Sequence, residues 1–145
     1  MRYLGIDLGS KTVGLAMSDT TLTIASTYKT IFFKDEDYNS TINEIKDIIK
    51  EYNITKIILG LPKNMNNTLG ERAEITLKYK ELLEKSTDLP VIMFDERLTS
   101  VISNSILIEA DMSRKKRKKK VDSIAAQIIL QDYLNKEKKD RKSVV

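Results

Sequence analysis

RYLGIDLGSKTVGLAM, residues Arg2 to Met17, sets the architecture from which the rest of the chain is read. In RYLGIDL, Leu4, Ile6 and Leu8 share one face of an extended segment. Tyr3, Gly5 and Asp7 share the other. Gly9-Ser10 is a turn signal, and Thr12 to Met17 reads as a second strand, so the two form a hairpin. A third strand falls within Thr23 to Phe33.

Beyond the hairpin the period changes. Asp35, Glu36 and Asp37 precede a segment whose apolar residues are Tyr38, Ile42, Ile45, Ile48, Ile49 and Tyr52. That spacing makes one stripe of a helix. Lys56 to Leu61 (KIILGL) is a short apolar run, as a buried strand requires. Pro62 and the polar KNMNNT form a loop, and a charged helix is expected over about Leu69 to Lys85. Pro90 to Phe94 is a further strand, ending in Asp95-Glu96-Arg97, and Thr99 to Glu109 reads as a helix. The last helix is expected over Val121 to Leu134, with Val121, Ile124, Ala125, Ile128 and Ile129 inward. The order β-β-β-α-β-α-β-α-α predicts an α/β fold: a mixed five-stranded sheet with helices on both faces. One domain over residues 1–134 is expected, with a charged tail, residues 135–145, that frays.

Composition narrows the chemistry. The chain has 145 residues, 41% of them hydrophobic, enough for one domain with a core. It contains no cysteine, which excludes a disulfide scaffold, a zinc knuckle and a thiol nucleophile. It contains no histidine, the commonest general base at neutral pH. Catalysis must then rest on carboxylates, lysines, hydroxyls or bound metal ions. No apolar run approaches the ~18 residues of a membrane span. Gly5 and Asp7 interrupt the place where a signal peptide carries its apolar stretch, so the cytoplasm is the expected compartment.

The net charge of +4 is concentrated. Arg114, Lys115, Lys116, Arg117, Lys118, Lys119 and Lys120 form an unbroken basic run, and without them the chain is mildly acidic. Such a run is often a solvated loop. Placed directly before Asp122, it points instead to a polyanion at the rim of a site. It has no aromatic residue for stacking, so it would hold a backbone and read no bases.

Three acidic features stand in apolar surroundings: Asp7 within a strand, Asp95-Glu96 at a strand end, and Asp122 at the start of a helix. Each has an ordinary explanation. Asp7 can cap a turn, Asp95 and Glu96 can solvate a strand end, and Asp122 can face the helix dipole. Brought together on one sheet, the carboxylates would repel and need cations. Oxygen ligands without histidine or cysteine select Mg²⁺ or Mn²⁺. A two-ion site of that kind hydrolyses phosphodiesters without a protein base. Asp95 and Glu96 point to opposite faces of their strand, so one of them, not both, is expected to serve. Gly5 to Asp19 also permits a phosphate-binding hairpin, with Lys11 at its tip, or a plain hairpin.

Four blocks in order carry a resemblance: GIDLGSKTVGLAMSD (Gly5 to Asp19), ILGLPKNMNNTLGERA (Ile58 to Ala73), FDERLTS (Phe94 to Ser100) and SRKKRKKKVDSIAAQIILQDYL (Ser113 to Leu134). With them the chain resembles the YqgF (RuvX) family of Holliday junction resolvases, in the RNase H-like superfamily, over nearly its whole length. Asn67 stands where the family usually has Gly; Asn tolerates a left-handed turn, so the loop shape is expected to survive. The resemblance implies an RNase H-like fold and catalytic, metal-binding carboxylates at Asp7, in the DER segment and at Asp122. Within DER we favour Glu96 over Asp95, with Arg97 beside it as a further contact to nucleic acid. It also implies a role in resolving branched DNA or in maturing the 5′ end of 16S ribosomal RNA.

Three functions compete. A metal-dependent endonuclease on structured nucleic acid leads, and a homodimer would suit a four-way junction, where two opposed strands are cut. A non-catalytic RNA-binding assembly factor would survive Asp7→Asn. An actin-like or sugar-kinase-like ATPase also opens on Asp-x-Gly, but needs two such domains and would bind nucleotide.

Overall fold

The computed structural model describes residues 1–9, 11–34, 37–61, 71–95 and 114–143, with the backbone alone described at 71, 72, 95, 114–122 and 139–143. The elements are β1 (Arg2–Leu8), β2 (Thr12–Ser18), β3 (Ala25–Phe32), α1 (Tyr38–Tyr52), β4 (Ile54–Leu61), α2 (Glu71–Thr87), β5 (Val91–Asp95) and α3 (Arg114–Ser143). The loop with Asn67 and the helix expected over Thr99 to Glu109 lie outside the described residues.

The five strands form one sheet in the order β3-β2-β1-β4-β5. β1 is antiparallel to β2 and parallel to β4, so the sheet changes sense at its central strand. The mixed sheet expected from the sequence is therefore present.

Strand alternation sorts the core into two layers. Leu4, Ile6 and Leu8 of β1 pack with Ile57 and Leu59 of β4 and with Ile42, Ile45 and Ile48 of α1. Tyr79 and Leu83 of α2 complete this layer. On the other face, Tyr3, Ala16, Ala25 and Ile58 pack with Ala126, Ile129, Leu130 and Leu134 of α3. Helices thus cover both faces, α1 and α2 on one and α3 on the other.

Local signals explain the boundaries. The Asp37 carboxylate accepts from the Ser40 backbone N–H at 3.4 Å and caps α1. Asn53, at φ 54°, ends α1 in the left-handed conformation that Asn tolerates. The hydroxyls of Thr41 and Tyr79, 2.7 Å apart, tie α1 to α2.

The last helix differs from the expected 121–134 at both ends. It begins at Arg114 and runs to Ser143. Lys and Arg are good helix formers, and no Gly or Pro interrupts residues 114–143. The basic run is therefore the opening of a helix and not a loop before one. Beyond Leu134, Glu137 accepts from the Tyr3 hydroxyl at 3.0 Å and from Lys56 Nζ at 3.2 Å. Lys56 also donates to the Tyr133 hydroxyl at 3.0 Å and lies 4.8 Å from the Tyr3 ring centroid. These contacts, invisible in a one-dimensional reading of a charged tail, carry the helix on. Among the described residues no helix is long and apolar enough to cross a membrane.

Candidate active site

Asp7 is 7% exposed, near the C-terminal end of the central strand. It shares the α3 face of β1 with Tyr3 and Gly5. Directly opposite it on β2 is Gly14, and opposite Gly14 on β3 is Thr30. On the other side, β1 runs in register with β4 up to Ile6↔Leu59. One further step brings Gly60 abreast of Asp7. The carboxylate therefore has a glycine on each flanking strand. One level down, the neighbours of Gly5 are Ala16 and Ile58, which pack under α3. Neither flanking strand places a side chain beside Asp7 at its own level.

The position of α3 follows from Gly5. A Cβ there would lie 2.9 Å from the Ala126 carbonyl oxygen and 2.9 Å from Leu130 Cβ. The Tyr3 and Tyr133 rings have centroids 6.1 Å apart. As β1 advances from Tyr3 to Gly5, α3 retreats from Tyr133 towards Ala126, so the two run in opposite senses. Two strand residues advance about 6.8 Å, and four helix residues about 6 Å. The step from Gly5 to Asp7 thus corresponds to the step from Ala126 back to Asp122. The backbone position of Asp122 thus lies one helical turn before Ala126, on the same stripe of α3 and towards the Asp7 end of the sheet.

Asp122 is the ninth residue of α3. It is more than two turns from the helix N-terminus, so a dipole-facing role in the first turn does not apply. The ordinary explanation of that aspartate is removed by the longer helix.

In β5, Val91 and Met93 pack in the α1–α2 layer, and Ile92 and Phe94 in the α3 layer. This alternation puts the Asp95 position on the face opposite to Asp7. Glu96 and Arg97 lie outside the described residues. Lys11 is exposed in the β1–β2 turn, at the same end of the sheet as Asp7, and its carbonyl accepts from Phe33 N–H at 3.0 Å. Arg114, Lys115, Lys116, Arg117, Lys118, Lys119 and Lys120 occupy the opening turns of α3 and lead towards the same end.

A buried carboxylate needs a compensating charge or hydrogen bonds, and Asp7 takes part in such an interaction. Among the described residues no group of three or more carboxylates stands together, and Asp7 is the one expected ligand whose side chain is described; its oxygens are of the kind that bind a hard divalent cation. The switch in strand sense at β1, with the C-terminal ends of β1, β4 and β5 together, is where open α/β sheets build their sites.

Two features escaped the sequence. Gly14 and Gly60 are hairpin and strand residues until the register aligns them with Asp7. A groove between β3 and α3, with Phe32 at its mouth, depends on pairing across three strands; the adjacent rings of Phe32 and Phe33, which alternation sends to opposite faces, are the one signal that could have pointed to it.

A family model described as "RuvX: Holliday junction resolvase" matches residues 1–136. The chain is 48% identical over 135 residues to a protein of Oceanobacillus iheyensis named "Putative pre-16S rRNA nuclease", covering 93% of this chain and 98% of that one. A protein of Listeria monocytogenes serotype 4b with the same name is 47% identical, with the same coverage. Among solved structures, RuvC of T. thermophilus in complex with a Holliday junction substrate is similar in fold, with a TM-score of 0.60 at 12% identity, over 94% of this chain and 95% of that one.

Proposed function

This chain belongs to the RuvX family and has an RNase H-like fold, and from that premise we propose that it is a metal-dependent endonuclease acting on structured nucleic acid. The observation that carries the proposal is Asp7: a carboxylate buried near the C-terminal end of the central strand, with Gly14 opposite it on β2. The names of the 48% and 47% identical relatives favour precursor 16S ribosomal RNA as the substrate. The family description favours a four-way DNA junction as the second candidate.

Asp7, Glu96 and Asp122 would hold Mg²⁺ or Mn²⁺. Alternation along β5 puts the Asp95 position on the face away from Asp7, which counts against Asp95 as the ligand and leaves Glu96 as the candidate within DER. Bound there, such ions would supply activation of a water and stabilisation of the leaving oxygen. The chain's own residues do the rest. Asp7 is fixed by a central strand covered on both faces, so it does not reorganise when substrate arrives. The glycines keep strand side chains away from Asp7. Lys11, Arg97 and the basic run hold the sugar-phosphate backbone and add nothing base-specific. With no histidine in the chain, no imidazole is available to take a proton from water.

The test offers purified protein a precursor 16S 5′-leader RNA and a mobile four-way DNA junction side by side, with Mg²⁺ or Mn²⁺. RNA cutting alone supports the ribosomal RNA substrate. Paired symmetric cuts in the junction support a dimeric resolvase. Binding without cutting of either overturns the nuclease proposal in favour of an assembly factor.

A further inference from the structure

The sheet face that carries Asp7 continues into a groove of about 590 Å³ between β3 and the first half of α3. Thr27, Thr30 and Phe32 line one wall, and Ser123, Ile124 and Gln127 the other. Its connection to Asp7 is a single row of residues. Asp7 pairs with Gly14, and Gly14 with Thr30. The residue between the carboxylate and the groove has no side chain, so nothing from the sheet stands between them. Two strand spacings put Asp7 and Thr30 about 10 Å apart along the sheet.

Phe32 is 61% exposed. Its neighbour Phe33 is buried in the α1–α2 layer, against Tyr38. The end of β3 therefore commits one ring to the core and leaves the other at the groove. The described lining contains no carboxylate that would repel a phosphate. The opposite wall is fixed, since the Gln127 amide donates to the Ala25 carbonyl at 3.0 Å. One to two turns before Ser123, on the same helix, stand Arg117 to Lys120. The basic run and the groove thus share one helix on the sheet face that carries Asp7.

We propose that this groove is a nucleotide subsite, in which the Phe32 ring stacks on an unpaired base of the substrate a few nucleotides from the cleaved phosphate. The inference rests on the nuclease proposal and adds what the basic run lacks, an aromatic platform. Stacking of this kind is sequence-tolerant, because every base has a π face. It selects for unpaired strands beside the cut, whatever their sequence.

The test is equilibrium binding of the full-length protein to a single-stranded segment of the leader RNA, and to DNA of the same sequence, across a salt series. Phe32→Ala is expected to weaken binding by about five- to hundredfold with the salt slope unchanged. Phe32→Tyr is expected to restore it. An abasic residue walked along the strand is expected to cost wild type the same factor at one position and to cost Phe32→Ala nothing there. Phe32→Ala binding within about twofold of wild type, or an abasic loss that persists undiminished in Phe32→Ala, overturns the subsite alone. Wild type that binds neither strand overturns the subsite, whereas the nuclease proposal is overturned only if neither the leader RNA nor the junction is cut. Equal effects on RNA and DNA support recognition of the base; an effect confined to RNA places the contact at the ribose and overturns stacking.

Discussion

Gly5 and Ala126 are in van der Waals contact through the backbone: a Cβ on Gly5 would sit 2.9 Å from the Ala126 carbonyl oxygen. This contact sets the height of α3 above β1. Asp7 follows Gly5 by two residues on β1, and Asp122 precedes Ala126 by one turn on α3, so the proposed ligands lie next along the chain from this contact.

Gly5→Ala is expected to destabilise the fold by about 1–3 kcal/mol, because helix backbone and a packed leucine must both give way. Thermal unfolding followed by circular dichroism measures it. Cleavage at a temperature where the variant is fully folded should also fall, since α3 is lifted from β1. An unchanged midpoint would mean that α3 does not rest where it is described.

Glu137 locks the far end of α3. Burial works against its charged form, but the hydrogen bond from Tyr3 and then the contacts with Lys56 outweigh it and hold the carboxyl below its ordinary 4.5. Its contribution is therefore complete above pH 4.5 and lost as pH falls through the lower folded value. Glu137→Gln should destabilise the protein by about 1 kcal/mol at pH 7, as read by urea unfolding. The gap to wild type should close as pH drops below 4.5. A gap that stays constant down to about pH 3 would contradict the assignment.

The basic run starts a helix against two forces. Its charges repel at i,i+4 spacing, and cations at an N-terminus oppose the helix dipole. A polyanion relieves both. Replacing Lys115, Lys116, Lys118, Lys119 and Lys120 with Gln should weaken nucleic-acid binding at low salt. It should also flatten the log–log salt slope by about 0.7–0.9 for each lost phosphate contact. Helicity by circular dichroism should rise in the free variant. An unchanged slope would remove the run from the binding surface.

Much of this was legible in one dimension because local pattern and tertiary role agree. The β1–β2 hairpin follows from period-2 alternation and a Gly-containing turn. The α1 stripe from Tyr38 to Tyr52 faces the core as its spacing requires. Asp7 stood out because a carboxylate in an apolar strand demands compensation. What stayed hidden depends on partners far apart in sequence. The extra turns of α3 past Leu134 owe their place to Tyr3 and Lys56. The lack of strand side chains beside Asp7 comes from Gly14 and Gly60, which register alone brings abreast. The start of α3 was obscured by charge, because seven cations read as a solvated loop unless helix propensity is weighed against their repulsion.

The central claim is that Asp7 and Asp122 serve chemistry and not binding. The most direct measurement compares Asp7→Asn and Asp122→Asn with wild type on whichever of the two substrates wild type cuts. Cleavage rate and equilibrium binding are read on the same preparation, with Mg²⁺ or Mn²⁺ and again with chelator. Each variant should lose about a hundredfold or more in rate while binding within about twofold of wild type, and chelator should reduce wild type to the same level. Variants that cut at the wild-type rate would contradict the metal-site assignment.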